Sequence, residues 1–194
     1  MDHNAVEMAS ARYRKAERSL EALSAATNFA DAEEAWTDFL MAVSAFYSKL
    51  EQGAKNNSRA DPWFGAVKRA RRKDPLLRYL QFSRNADYHG IKRVTQKNPG
   101  QTALGFEPGF NERHPLKLAK VSGPGAMPEG AMIGAWVMGP HLSLVRAVNT
   151  KHGGYADPPN THLGESIDHR YPQEIGAAVM PYLSLMLEKA ATFV

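Results

Sequence analysis

The stretch DAEEAWTDFLMAVSAFYSKLEQG, residues 31–53, decides how this chain folds. Trp36, Phe39, Leu40, Val43, Phe46, Tyr47 and Leu50 recur at steps of three and four, which lays one apolar stripe along a long helix. Asp31 followed by Glu34 has the spacing of a capping box, with Asp in place of Ser or Thr, and Gly53 closes the segment. Such a stripe must be covered, and the flanking sequence offers partners. Residues 5–27 are rich in Ala, Glu, Arg and Leu and lack Gly and Pro, which predicts a helix ended by Asn28. Asp61-Pro62 and Asp74-Pro75 each read as an N-cap followed by Pro at the first helical position. They predict a short helix near 62–72 and a longer one from 75 to about 89 or beyond. After Pro172, the residues Ile175, Val179, Tyr182, Leu183, Met186, Leu187 and Ala190 form another stripe, with a kink expected at Pro181.

The middle of the chain has a different composition. Nine of the 12 prolines lie in 98–172 and 11 of the 15 glycines in 98–170, a density of breakers that no continuous helix survives. AMIGAWVMG (131–139) and HLSLVRAV (141–148) read as strands, and Gly139-Pro140 between them suggests a hairpin. LKLAKV (116–121) alternates like a third strand. The expected fold is therefore mainly α: a helical bundle with a β-rich insertion, α+β when taken together. Residues 1–97 would form the bundle, 98–171 the Gly/Pro-rich β-containing insertion, and 172–194 a C-terminal helix returning to the bundle. The alternative is two domains split near residue 98, with the last helix covering the small sheet.

Composition narrows the function classes. No apolar run approaches the ~20 residues of a membrane span, so no membrane partner is expected. The N-terminal MDHNAVEMAS has neither a basic region nor an apolar core, unlike a signal peptide. The absence of cysteine excludes disulfides and thiolate metal sites and fits a cytoplasmic protein. His114, His141, His152, His162 and His169 match no metal-ligand spacing, and no cofactor motif is present: SGPGAMPEG lacks the Lys-Ser/Thr pair of a phosphate-binding loop. Charge is unevenly spread. Residues 1–97 hold 17 Lys/Arg against 12 Asp/Glu, a net of +5, whereas 98–194 hold 7 against 8, a net of −1. A basic half points to a polyanion, nucleic acid first.

That half contains QFSRNADYHGIKR (81–93). On a helix Asn85 and His89, four apart, share a face, and Arg84 shares a neighbouring face with Tyr88. If Gly90 ends the helix, His89 sits at the negative end of the dipole, which favours imidazolium. The bland alternative pairs Arg84 with Asp87 and leaves His89 as a terminal cap. Arg84, Asn85 and His89, with four residues between Arg and His late in a helical bundle, resemble the HEPN superfamily. Its motif is Arg, four to six residues, then His, usually with Asn, Asp or His directly after the Arg. The resemblance covers residues 5 to about 95, with 172–192 as the closing helix.

The resemblance implies an HEPN-like helical bundle, metal-independent RNA cleavage and a homodimer that faces two motifs across a cleft. His89 would act as general base or acid, Arg84 would hold the scissile phosphate, and Asn85 would orient His89 or donate to a phosphate oxygen. Products would carry 2′,3′-cyclic phosphate and 5′-OH ends. Many members are toxins or defence effectors, with an antitoxin or other protein as partner, and others only bind. Some carry a Tyr two residues after the His as a modification site; here that position is Ile91.

Other residues extend the RNA expectation. VKRARRK (67–73) supplies Lys68, Arg69, Arg71, Arg72 and Lys73 as phosphate contacts, and Lys92 and Arg93 extend the surface. Tyr88 could stack on a base, whereas Phe82, Trp36 and Trp63 are assigned to the core and Trp136 to the sheet. His162, in THLGES, is placed where it could fold back toward the bundle. The competing function is a non-catalytic dimeric interaction module, in which the β segment recruits a protein.

Overall fold

The structure is a computed structural model and describes residues 1–89, 93–106, 133–148, 153–167 and 171–194. It is mainly helical, with a few small antiparallel strand pairs. Two compact units divide it: Met1–Gln96 with Leu142–Val194, and Lys97–His141.

The stripe of the long helix is the centre of the first unit. Helix α2 (Phe29–Ala54) buries every one of its expected stripe residues, with Phe39, Phe46 and Leu50 fully enclosed. Helix α1 (His3–Ala25) lies against it through small side chains, Ala5, Ala9 and Ala16, which let the backbones approach. A side chain at Gly53, in the last turn of α2, would collide with the Ala5 methyl, so the glycine there serves the contact with α1 as well as the helix end. Asn28, expected to end α1, instead caps α2. Its Oδ1 accepts from the Asp31 N–H at 2.9 Å while its Nδ2 donates to the Asp31 carboxylate at 2.8 Å. The N-cap thus lies three residues earlier than the Asp31–Glu34 spacing suggested.

Helix α3 (Ala60–Lys73) also starts early. Asn57, not Asp61, accepts the Ala60 N–H at 2.9 Å, and Asp61 lies in the first turn. Asp74-Pro75 behaves as expected: Asp74 Oδ1 accepts from the Leu77 N–H at 2.9 Å and α4 runs Pro75–His89. Helix α4 buries Leu76, Leu77, Tyr79, Leu80, Ser83 and Ala86. Helix α5 (Pro172–Ala191) passes through Pro181 as one helix and packs on α1, α2 and α4, burying Ile175, Val179, Leu183, Met186 and Ala190.

The strands differ from expectation. Strand β1 (Thr95–Asn98) pairs with β4 (His141–Leu144), and β2 (Gln101–Phe106) pairs with β3 (Ile133–Met138), so β3 and β4 form no hairpin. Gly139 lacks the positive φ that a tight two-residue hairpin turn demands. The second unit, by itself, contains the β2–β3 ladder, with Trp136 opposite Ala103. The Trp136 side chain and the expected strand at 116–121 lie outside the described residues.

Residues 142–167 were expected in the insertion, yet they belong to the helical unit. Helix α4 holds them. Tyr79 Oη donates to the Val145 carbonyl at 2.8 Å, and Arg78 to the Tyr155 carbonyl at 3.1 Å. Strands β5 (Ala147–Val148) and β6 (Tyr155–Ala156) pair there, as do β7 (Thr161–His162) and β8 (Glu165–Ser166). The β7–β8 turn has positive φ at both Leu163 (52°) and Gly164 (92°), the backbone of a tight hairpin turn. Leu163 accepts this posture with its N–H bound to Asp74 Oδ2 at 2.7 Å, while His162 Nδ1 lies 3.0 Å from Asp74 Oδ1.

Asp74 thus caps α4 and pins a loop 88 residues away. Asp74→Ala removes the cap and strands a buried donor, and should cost about 3 kcal/mol in urea denaturation. Burial alone would raise the Asp74 carboxyl, but donation from Leu163, Leu77 and His162 outweighs it and holds the group below its usual range. A depressed carboxyl contributes stability above about pH 4 that is lost as pH falls through its folded value. Asp74→Asn should therefore flatten the acid limb of a stability–pH curve below about pH 4.

Candidate functional site

Helix geometry divides the expected basic stretch. Phe64, Val67 and Arg71 share the face of α3 that packs on the bundle, so Arg71 turns inward while Lys68, Arg69, Arg72 and Lys73 stay exposed. The Arg71 guanidinium lies over the Tyr47 ring, 4.2 Å from its centroid. Arg71 is thus half-buried and stacked, a departure from the fully solvated cation that the sequence suggested. Lys68 pairs with Glu51 of α2 at 3.1 Å.

Between α2 and α3 lies a cavity of about 200 Å³. Ser44, Tyr47, Ser48 and Glu51 line it from one face of α2; Lys68, Arg71 and Arg72 line it from α3, and Gln81 from α4. One turn beyond Gln81, α4 carries Arg84 and Asn85, both half-buried. Arg84 Nη1 donates to Asn85 Oδ1 at 3.0 Å, so Asn85 spends its carbonyl on orienting the arginine and keeps its amide N–H groups for other acceptors. Burial lowers the Arg71 guanidinium from its ordinary value, and the nearby Arg84 charge pushes in the same direction. Asp87, another turn on, accepts from Thr37 Oγ1 of α2 at 3.5 Å, and burial raises its carboxyl.

The backbone of His89 closes α4, but its side chain, that of Tyr88 and all of Lys92 lie outside the described residues. Arg93 Nη1 lies 4.0 Å from Glu33, near the start of α2. Glu33 and Ser44 are separated by roughly 16 Å of helix rise. The structure therefore brings Lys68, Arg71 and Arg72 together around one cavity, with Arg84 near enough to act on the charge of Arg71, and sets Arg93 apart.

His162 folds back onto the bundle, at the Asp74 end of α4. The other end, where His89 stands, is roughly 20 Å along the helix, so the two histidines do not share a site. His114, His152 and His169 lie outside the described residues, and among the described ones no three His, Asp or Glu side chains gather as a metal-binding group. A second cavity of about 420 Å³ lies between Lys73, Arg78 and residues 154–160. Its Arg78 is committed to the Tyr155 carbonyl. Phe82 is half-buried against the core, Trp36 is enclosed, and Trp63 packs on Phe64 and Phe193.

Sequence reasoning missed Tyr47 and the two serines as cavity groups. A faint signal was present: Ser44 and Ser48 bracket the stripe at its hydrophilic edge, four apart on one face. Comparison with protein-family models, with curated proteins and with solved structures finds no match to this chain. Among the described residues, no helix is long and apolar enough to cross a membrane.

The division of the basic stretch has an energetic signature. Arg71→Ala loses a partly desolvated cation–π contact and stem packing, and should destabilise by about 1–2 kcal/mol. Arg69→Ala and Arg72→Ala should stay within about 0.5 kcal/mol by the same denaturation measurement.

Proposed function

We propose that this chain is an HEPN-like protein that binds RNA and cleaves it without a metal, acting as a homodimer in the cytoplasm within a toxin or defence system. What carries the reading is the Arg84–Asn85 pair, hydrogen bonded to each other near the end of α4 and next to the cationic edge of α3. The mainly helical unit and the motif spacing from Arg84 to His89 support it.

The chemistry assigns roles. A base removes the proton of a ribose 2′-OH, the 2′-oxygen attacks the adjacent phosphorus, and an acid protonates the departing 5′-oxygen. The products are a 2′,3′-cyclic phosphate and a 5′-OH. His89 serves as base or acid. Arg84 holds the phosphate and stabilises charge as it develops on the non-bridging oxygens, with Asn85 fixing its orientation. One motif histidine per chain suits one proton transfer, and two chains supply both. Arg69, Arg72 and Lys73 add phosphate contacts along α3, with Lys92 and Arg93 beyond the motif. A protein partner such as an antitoxin would act by covering this face.

The test is cleavage of a mixed RNA pool in EDTA by wild type, His89→Ala and Arg84→Ala, with fragment ends identified. Expected are cyclic-phosphate ends, with losses of about 10²–10⁴-fold for His89→Ala and 10²–10³-fold for Arg84→Ala. RNA binding without cutting would reduce the proposal to its binding half. Neither binding nor cutting at low salt would sink it and favour the dimeric interaction module.

A further inference from the structure

The cavity between α2 and α3 lies before the Arg84–His89 motif in α4 and has a chemistry of its own. Three cations line it, and its one carboxylate, Glu51, is already paired with Lys68 at 3.1 Å. Among the described residues no carboxylate pairs with Arg71 or Arg72. Tyr47 is only 4% exposed, and among the described residues its hydroxyl has no hydrogen-bond partner. A buried hydroxyl left unmade is costly, so its retention beside the Arg71 guanidinium calls for an acceptor.

The three cations around the cavity favour an anion as that acceptor. Burial pushes the Tyr47 phenol upward, so it stays protonated and donates. Arg71 lines the cavity with the like charge of Arg84 nearby, so an anion bound against Arg71 offsets that repulsion. Planar guanidinium forks suit a group with several oxygens, and hydroxyls from Ser44 and Ser48 reach the same space. At about 200 Å³ the cavity is below the ~300–1,000 Å³ of clefts that enclose whole small molecules. It admits a headgroup and leaves the remainder of the ligand outside.

We propose that this pocket is a phosphoryl-binding site, with Arg71, Arg72 and the Tyr47 hydroxyl as its principal donors. The phosphoryl group comes from an RNA strand or from a free phosphorylated metabolite. The site stands whether or not the chain cleaves RNA.

Inorganic phosphate is the probe, titrated against the full chain by calorimetry and thermal shift, with chloride holding ionic strength constant and acetate as a control anion. Phosphate should raise the melting temperature of wild type more than acetate does. Tyr47→Phe removes a buried hydroxyl with no partner among the described residues, so it should melt at or above wild type in chloride yet bind phosphate about tenfold more weakly or worse. Arg72→Ala, on the exposed side of the pocket, should weaken phosphate comparably and still fold. No phosphate-specific shift, or equal affinity in wild type and both variants, overturns the site. A competition arm identifies the source. Phosphate that displaces a short oligoribonucleotide in wild type but not in Arg72→Ala makes the pocket an RNA contact. Phosphate that binds without disturbing RNA assigns the pocket to a free metabolite. RNA binding with no phosphate binding discards the pocket and leaves the proposed function standing.

Discussion

A single buried carboxylate joins the parts of the helical unit. Asp74 ends α3, caps α4 and holds both His162 and the Leu163 N–H. Each of those groups is a donor that burial would otherwise leave unmet, and two carboxylate oxygens meet all three. The junction fixes how α3 meets α4. That in turn fixes where Arg71, on the last turn of one helix, stands relative to Arg84, late on the next. The candidate site stands on three helices, and the way two of them meet is inherited from this cap.

The cap also explains why the chain returns to the bundle after its second unit. Asp74, Arg78 and Tyr79 lie within two turns at the start of α4, and each binds residues of 145–163. Without them that segment would have little to order it, since its ladders are two residues long. The left-handed Leu163 is tolerated because the surrounding contacts over-determine it. Local strain is here a by-product of bringing a distant N–H to a carboxylate.

The parts of the fold legible in the sequence were those encoded locally. The α2 stripe and the Asp74-Pro75 cap depend on neighbours three or four residues apart, and both stand in the structure. Helix starts at Asn28 and Asn57 escaped notice because Asn reads equally as a terminator and as a cap, and only the partner N–H decides. The pairing of β3 with β2 rather than β4 is a long-range choice that alternation cannot express. At the site, clustering of basic residues was legible, but which of them turns inward depended on the phase of α3 against α2. Tyr47 was invisible as a cavity group for the same reason: its partner Arg71 comes from another helix.

Helix α2 also acts as a ruler. Arg93 is tethered near its start, beside Glu33, and the cationic cavity opens beyond Ser44. The separation, roughly 16 Å along a stiff helix, does not adjust to the ligand. At about 3.4 Å per nucleotide of a stacked strand, a polyanion needs about five nucleotides to touch both ends. If the chain binds RNA as proposed, shorter strands would meet one end or the other, and the helix would set a minimum length for any strand held at two points.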